Sequence, residues 1–272
     1  MSINIAKSYV EVPAPPVRQG GILSVANVIP ATGHELLGAE YITDACAPGH
    51  VWVDLCYNVE QQLCDPQSTP TPPVGGYKVF DQPSLVEGEP FAVYDGVECG
   101  LMSIEEAETR AKARLGYSER RQVDKYMQAW LESSKDLSLA AGSLRDQIMA
   151  MEDIAGDLYG GYATLLMPYR MITCGRSQDL VHTAPGGGYE TINGTRVGGF
   201  AVDYPTAPDP ANIYLTGQIT FIQGPVESHS VASYTHPDGL TCEPARAIAE
   251  RMYVPLVECM IVGAQATCDP AP

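Results

Sequence analysis

The sequence predicts an α+β fold, in which strands precede and follow two helices. Ser103 begins the clearest helix pattern, because Ser103 and Glu106 have the S-x-x-E spacing of a capping box. The segments 51–55 and 218–222 are rich in β-branched and aromatic residues, as strands are. With 272 residues, 45% of them hydrophobic and only 18% charged, the chain is expected to fold around a substantial core.

The first helix is predicted from Ser103 to about residue 133. Apolar or small residues recur there at helical spacing, while charged residues occupy the other faces. The apolar stripe consists of Ala107, Ala111, Leu115, Val123, Met127, Trp130 and Leu131. Gly116 lies inside this pattern, and since glycine costs about 1 kcal/mol in a helix interior, it predicts a bend or a break.

A second helix is predicted from about residue 143 to residue 158, where apolar residues again follow helical spacing. A strand over 162–167 and a short helix starting near Pro168 follow, because proline suits the first turn of a helix. Asn193-Gly194 predicts a tight hairpin, since both residues tolerate positive φ.

Extended segments surround the helices. Residues 1–40 are rich in Pro, Gly and small residues, which predicts an arm that lies on a neighbour. The segments 77–80 and 89–94 predict the two strands of a long hairpin projecting from the body. Pro255 predicts that the extended region 246–266 is an edge strand or contains a bulge.

The charge balance excludes several partners. A net charge of −17 and a pI near 4.5 argue against non-specific binding to nucleic acid or to an anionic membrane. No basic leader and no run of about 18 apolar residues is present, which predicts a soluble chain made in a cytoplasm.

Eight cysteines are diluted in a large chain without CxxC pairs, which favours free buried thiols over a disulfide framework or a zinc site. Late oxidation outside the cell, for instance of Cys46 with Cys56, stays open.

No pattern predicts catalytic, cofactor-binding or metal-binding residues. The five histidines have no metal-ligand spacing, and no HExxH, GxSxG or GxxxxGK[ST] motif occurs. Two combinations of a nucleophile with a histidine could in principle form a catalytic site. They are Cys174 with His182, and Ser228 with His229 and Asp238. Ordinary core and loop positions explain both sets better, so we expect no enzyme and no cofactor.

The order of these elements resembles the shell fold of tailed-bacteriophage major capsid proteins of the Hong Kong ninety-seven type, which encapsulins share. Residues 80–97 (FDQPSLVEGEPFAVYDGV) resemble the family's strand-loop-strand lead-in to the long helix. Residues 105–123 (EEAETRAKARLGYSERRQV) resemble its long spine helix. Residues 144–170 are similar to the helix-strand-helix opening of the axial lobe.

The resemblance implies a division of the chain into seven segments. These are an N-terminal arm (1–40), a strand and linker (41–72), an extended loop (73–98), the spine helix of the peripheral domain (99–136), an axial domain (137–212), peripheral-domain strands (213–240) and an axial-domain return (241–272).

The resemblance also implies a structural virion protein. Copies of the chain would form hexamers and pentamers of an icosahedral shell, which is assembled in the host cytoplasm and encloses double-stranded DNA without reading its sequence. Scaffolding, portal or decoration proteins are further partners that it leaves open, and a membrane is not among them.

On this hypothesis, two hairpin residues and four arginines of the long helix contact adjacent subunits. They are Phe91, Tyr94, Arg110, Arg114, Arg120 and Arg121. Two other classes stay open: a tail or head-joining component that forms rings or tubes, and a small-molecule enzyme with an unfamiliar site.

Overall fold

The computed structural model describes residues 20–43, 45–46, 84–98, 103–202, 210–231, 234–235, 241–242 and 246–268. Within these ranges the chain forms three α-helices and seventeen strands. The helices are α1 (Ile104–Ser134), α2 (Leu144–Leu158) and α3 (Tyr169–Ser177). The strands are β1 (Asn27–Pro30), β2 (Ala39–Thr43), β3 (Ser84–Gly88), β4 (Phe91–Glu98), β5 (Leu137–Ser138), β6 (Gly142–Ser143), β7 (Thr164–Pro168), β8 (Val181–Thr183), β9 (Tyr189–Thr191), β10 (Arg196–Phe200), β11 (Ala211–Thr216), β12 (Ile219–Gln223), β13 (Glu227–Val231), β14 (Tyr234–Thr235), β15 (Thr241–Cys242), β16 (Arg246–Val257) and β17 (Ile261–Thr267).

Two sheets take most of the strands. A five-stranded sheet has the order β1-β12-β16-β13, and β4 pairs with β16 as well. An eight-stranded sheet has the order β5-β17-β11-β7-β10-β9-β8, and β6 also pairs with β17. Two separate ribbons, β2 with β3 and β14 with β15, complete the strand pairs. Helices packed on largely antiparallel sheets confirm the predicted α+β class.

Helix α1 begins where the capping box predicts, and the Ser103 hydroxyl accepts a hydrogen bond from the Glu106 N–H at 3.1 Å. Every member of the predicted stripe is buried except Trp130, which is partly buried against the same cluster. The stripe packs with residues of the five-stranded sheet, among them Phe221 and Tyr253. The break predicted at Gly116 does not occur, since α1 runs through it.

Helix α2 covers the second core. Ser143 caps its first turn by accepting from the Asp146 N–H at 3.1 Å, and Met151 lies in a cluster with residues of the eight-stranded sheet. The hairpin predicted at Asn193-Gly194 is confirmed, because β9 and β10 pair antiparallel around it and Gly194 has φ +87°.

The predicted projecting hairpin is wrong in its second strand. Residues 91–98 form β4, which does not project from the body. It pairs antiparallel with residues 246–253 of β16, in the five-stranded sheet. The strand that pairs with β3 is β2, at residues 39–43. Alternating apolar residues suit either ladder, so local sequence does not distinguish a hairpin strand from a sheet strand.

The chain crosses between the two sheets inside two of the predicted segments. In the segment 213–240, β11 lies in the eight-stranded sheet and the chain crosses to the other sheet at Gly217. In the segment 241–272, β16 belongs to the five-stranded sheet and β17 to the eight-stranded sheet. The division of the chain into domains stays a prediction. Pro255 sits beyond the last pair of β4 with β16, so β16 is a local edge on that side.

Several predicted segments lie outside the described residues. They are the arm up to residue 19, the strand 51–55, the linker 65–76 and the strand 77–80. In the described part of the chain, no helix combines the length and the apolar character needed to cross a membrane.

We expect Met151→Ala to lower the free energy of unfolding by about 2–5 kcal/mol, because the side chain is fully buried and its removal leaves a cavity. Met149 is a matched control on the same helix, since it is 57% exposed. Met149→Ala should change the value by less than about 0.5 kcal/mol. Urea unfolding of both variants measures the difference, and equal losses would contradict the placement of α2.

Candidate assembly surfaces

The first surface is the ribbon formed by β2 and β3. One of its faces is applied to the body, where Val86 and Tyr41 pack with residues of β12 and β16. The other face carries Ile42 and Leu85, which are direct cross-strand neighbours and are 68% and 56% exposed. Because two adjacent aliphatic side chains facing water are unfavourable in a free subunit, this face is suited to contact with another protein surface.

The ribbon is fastened to the body at a junction, which consists of Gln218, Glu258 and Cys259. The Glu258 carboxylate accepts hydrogen bonds from the hydroxyls of Tyr41 at 3.0 Å and Tyr159 at 2.7 Å. The Tyr159 hydroxyl in turn accepts from the Gln218 N–H at 3.0 Å. One carboxylate therefore connects the ribbon, the end of α2 and the connections between the two sheets.

The second candidate region is the first described segment, residues 20–22. Three side chains bind its backbone: Arg120, Asp124 and Tyr169, which we call the arm anchor. The buried Asp124 carboxylate accepts from the Ile22 N–H at 2.8 Å, and the Tyr169 hydroxyl accepts from the Gly21 N–H at 2.7 Å. Arg120 donates to the Gly20 carbonyl at 2.7 Å. A Cβ at Gly21, which has φ +82°, would lie 2.9 Å from Asp124 Oδ1, so glycine is required there.

The arginines of α1 that were predicted to contact neighbours also have partners in their own chain. Arg110 pairs with Glu106 at 2.9 Å, and Arg114 pairs with Asp95 at 3.3 Å. Arg120 belongs to the arm anchor, and Arg121 is exposed on α1. Contacts of these four residues with a second subunit stay a prediction.

Phe91 and Tyr94 lie on opposite faces of β4. Phe91 stacks on Tyr126 of α1 with ring centroids 3.8 Å apart, so it contributes to the core of its own chain. Tyr94 is exposed on the outer face of the five-stranded sheet. Of the two, only Tyr94 presents a large free side chain to a neighbour, and its contact with one stays a prediction.

Tyrosine–glutamate pairs also join α1 to both sheets. The Tyr253 hydroxyl of β16 donates to Glu119 at 2.7 Å, and the Tyr214 hydroxyl of β11 donates to Glu132 at 2.8 Å. Arg251 also donates to Glu119, at 2.8 Å. The helix is thereby bonded to the five-stranded sheet at Glu119, in its middle, and to the eight-stranded sheet at Glu132, near its end.

These surroundings shift the pKa of the tyrosines. Burial, and then the hydrogen bond to Glu119, raises the pKa of Tyr253 to about 12. Burial and the hydrogen bond to Glu258 raise the pKa of Tyr159 to about 12. The same two causes, with Glu258 and Glu132 as acceptors, raise the pKa of Tyr41 and Tyr214 well above the usual range.

Four cysteines form two disulfides, which corrects the prediction of free thiols. Cys46 is bonded to Cys259, and Cys174 is bonded to Cys268. The partner of Cys46 is therefore not Cys56, which lies outside the described residues. The two cysteines of each bond are 213 and 94 residues apart in the chain, respectively, so a local spacing pattern could not predict either bond.

The two nucleophile sets do not assemble. Cys174 has no free thiol because it is bonded to Cys268, and His182 pairs with Glu190 at 2.9 Å. Ser228 and His229 are successive residues of β13, so their side chains point to opposite faces. Asp238 lies outside the described residues.

The ladder between β13 and β16 brings together one group that the spacing of histidines did not indicate. His229 Nε2 lies 3.2 Å from Glu250 and 3.8 Å from Glu227, and these atoms could surround a divalent cation. All three side chains are substantially exposed, and ion pairing explains the arrangement without a metal.

No protein-family model and no curated protein matches the sequence. Solved structures do match. A chain of Mycobacterium phage Cain has a TM-score of 0.52 at 12% identity, covering 98% of this chain and 96% of that one. A chain of Mycobacterium phage Adephagia has a TM-score of 0.51 at 11% identity with the same coverage, 98% and 96%. A chain from the capsid of the native GTA particle has a TM-score of 0.50 at 12% identity, covering 97% and 96%.

The protein has the phage-capsid fold. The match extends over nearly the whole of both chains, so it includes the ribbon, α1 and both sheets. This confirms the shell fold that the order of elements predicted. At 11–12% identity the likeness concerns the fold and carries over no individual residue.

We expect Asp124→Ala to cost about 1–3 kcal/mol of unfolding free energy, because it leaves the buried Ile22 N–H without its acceptor. Amide exchange at Gly21 and Ile22 should accelerate in the same variant. Asp153→Ala removes an exposed carboxylate of α2 and serves as the control. Unchanged exchange at Ile22 in Asp124→Ala would contradict the arm anchor.

The raised tyrosine pKa values predict a loss of stability in alkali. In the unfolded chain these groups ionise near pH 10, and in the folded chain they ionise only near pH 12 or above, so stability falls as the pH rises through this interval. Urea midpoints at pH 9 and 11 measure the fall. It should be smaller in Tyr159→Phe than in Tyr162→Phe, which alters an exposed tyrosine; identical falls would refute this origin.

Proposed function

We propose that the protein is the structural subunit of a phage-type icosahedral shell, and that its copies assemble into hexamers and pentamers. The observation that carries the proposal is the capsid fold, which accounts for 98% of this chain and 96% of the matched phage chain. Coverage in both directions means that almost no part of the chain is left over for a separate catalytic module. A structural role without enzymatic activity follows as part of the proposal.

The ribbon supports self-association. Its outer face combines the aliphatic pair Ile42 and Leu85 with the acidic pair Glu40 and Glu87, since all four alternate residues share that face. An apolar centre with charged neighbours is typical of surfaces that become buried between proteins. Contact with another subunit would remove Ile42 and Leu85 from water, and the stability of each copy would then depend on its neighbours.

The charge of the chain fits a container for DNA better than a DNA-binding protein. A net charge of −17 leaves little to neutralise phosphates, so an enclosed double-stranded genome would be confined without being bound in a sequence-specific way. We place the protein in the virion, with assembly in the host cytoplasm. Scaffolding, portal or decoration proteins would be its other partners.

Negative-stain electron microscopy and light scattering of the purified chain, alone and with proteins from neighbouring genes, test the proposal. Closed, roughly spherical particles tens of nanometres wide are expected if the chain builds a shell of many copies. Rings or tubes would replace the proposal with a tail or head-joining role, and a small oligomer under every condition would overturn it.

We expect Ile42→Asp with Leu85→Asp to abolish shell formation while leaving the subunit folded, because the charges would be buried between subunits but are exposed in the free chain. Met149→Asp, at a similarly exposed position on α2, is the control and should still assemble. Particle yield and circular dichroism measure assembly and folding separately. Normal yield from the ribbon variant would exclude this face from the interface.

Charge reversal at the arginines of α1 can affect folding as well as assembly, because these residues also have partners in their own chain. Arg120→Glu would disturb the arm anchor, because Arg120 donates to the Gly20 carbonyl. Arg121→Glu changes an exposed residue one position further along α1. Arg121→Glu tests a subunit contact when folding is measured in parallel: reduced particle yield with unchanged folding would support the contact, and full yield would exclude it.

A further inference from the structure

Among the described residues, a disulfide between Cys46 and Cys259 links the base of the ribbon to the body. Cys46 follows β2 by three residues, and Cys259 lies in the connection between β16 and β17. Their Cα atoms are 5.0 Å apart, and both residues are partly exposed, so small redox reagents can reach them. The bond joins positions 213 residues apart in the chain.

Non-covalent contacts position the same two cysteines. Glu258, which precedes Cys259, holds the hydroxyl of Tyr41 from the ribbon and that of Tyr159 from the end of α2. The Gly160 N–H donates to the carbonyl of Ala45 at 3.0 Å, directly before Cys46. These contacts hold the backbone on both sides of the disulfide, and none of them requires the S–S bond itself.

We propose that the Cys46–Cys259 bond is a redox-dependent lock on the ribbon. In the reduced chain the base of the ribbon is held by hydrogen bonds and apolar contacts, which open locally. Oxidation closes this opening by a covalent link. A chain made in a reducing compartment carries the two thiols and acquires the bond on transfer to oxidising surroundings.

The chemistry is thiol–disulfide exchange with a low-molecular-weight disulfide, such as oxidised glutathione. The thiolate of one cysteine attacks the reagent, forms a mixed disulfide and releases one glutathione thiolate. The second cysteine, also as a thiolate, displaces the other glutathione thiolate. The protein loses two protons and two electrons, and the reagent is reduced to two thiols.

The second disulfide provides a matched control. Cys174 lies in α3 and Cys268 follows β17, so this bond ties a helix to the end of a strand of the eight-stranded sheet. Neither residue belongs to the ribbon or the junction. Its removal should destabilise the chain without releasing the ribbon.

Hydrogen–deuterium exchange of the unassembled chain tests the lock. The double variant of Cys46→Ser with Cys259→Ser should exchange the ribbon amides about ten-fold faster than the oxidised parent, because local opening is no longer opposed by the bond. Reduction of the parent with dithiothreitol should do the same. The control of Cys174→Ser with Cys268→Ser should keep slow exchange in the ribbon. Equal ribbon exchange in the two double variants would overturn the lock.

Bond formation tests the positioning role of Glu258. In reduced protein given oxidised glutathione, Glu258→Ala should slow the closure of Cys46–Cys259 several-fold and leave that of Cys174–Cys268 unchanged in the same molecule, as measured by alkylation and peptide mass. Equal closure rates of Cys46–Cys259 in variant and parent would overturn this role. A chain that never forms Cys46–Cys259 would overturn the lock itself. Neither assay depends on shell formation.

Discussion

The two sheets are held together where two of the connections between them lie side by side. One crossing joins β11 to β12 through Gly217, and the other joins β16 to β17 through Glu258. The Glu258 N–H donates to the Gln218 carbonyl at 3.0 Å, and a Cβ at Gly217 would lie 2.4 Å from the Glu258 carbonyl oxygen. The crossings can approach this closely because residue 217 has no side chain. The ribbon and the end of α2 are both attached at this one point.

Helix α1 contacts both sheets. Its buried stripe packs on the five-stranded sheet, and Glu119 and Glu132 accept tyrosine hydroxyls from one sheet each. Burial alone would raise the pKa of Glu132, but hydrogen bonds from Lys135 and Tyr214 outweigh it and leave the pKa lowered. Because the carboxylate stays charged, its hydrogen bonds are of the stronger, charge-assisted kind.

Short sequence motifs predicted the helix starts and the tight turn correctly. The cap at Ser103, the start of the second helix near residue 143 and the turn at Asn193-Gly194 depend on a few neighbouring residues, and all three occur. The order of elements was enough to indicate the capsid fold. The arm anchor could not be predicted, because Ile22 and Asp124 are 102 residues apart. The cysteine pairing and the pairing of β4 with β16 could not be predicted for the same reason, since each is decided by contacts between distant segments.

The composition of the five-stranded sheet has a consequence for the order of synthesis. Its strands come from residues 27–30, 91–98 and 219–257, and the strand to which most others pair, β16, follows α1 in the chain. The eight-stranded sheet likewise cannot be completed before β17 is synthesised. Helix α1 therefore leaves the ribosome before β16, which forms part of the surface that covers its apolar stripe. In a nascent chain of this topology, the stripe stays uncovered by β16 until residues 246–257 have been made.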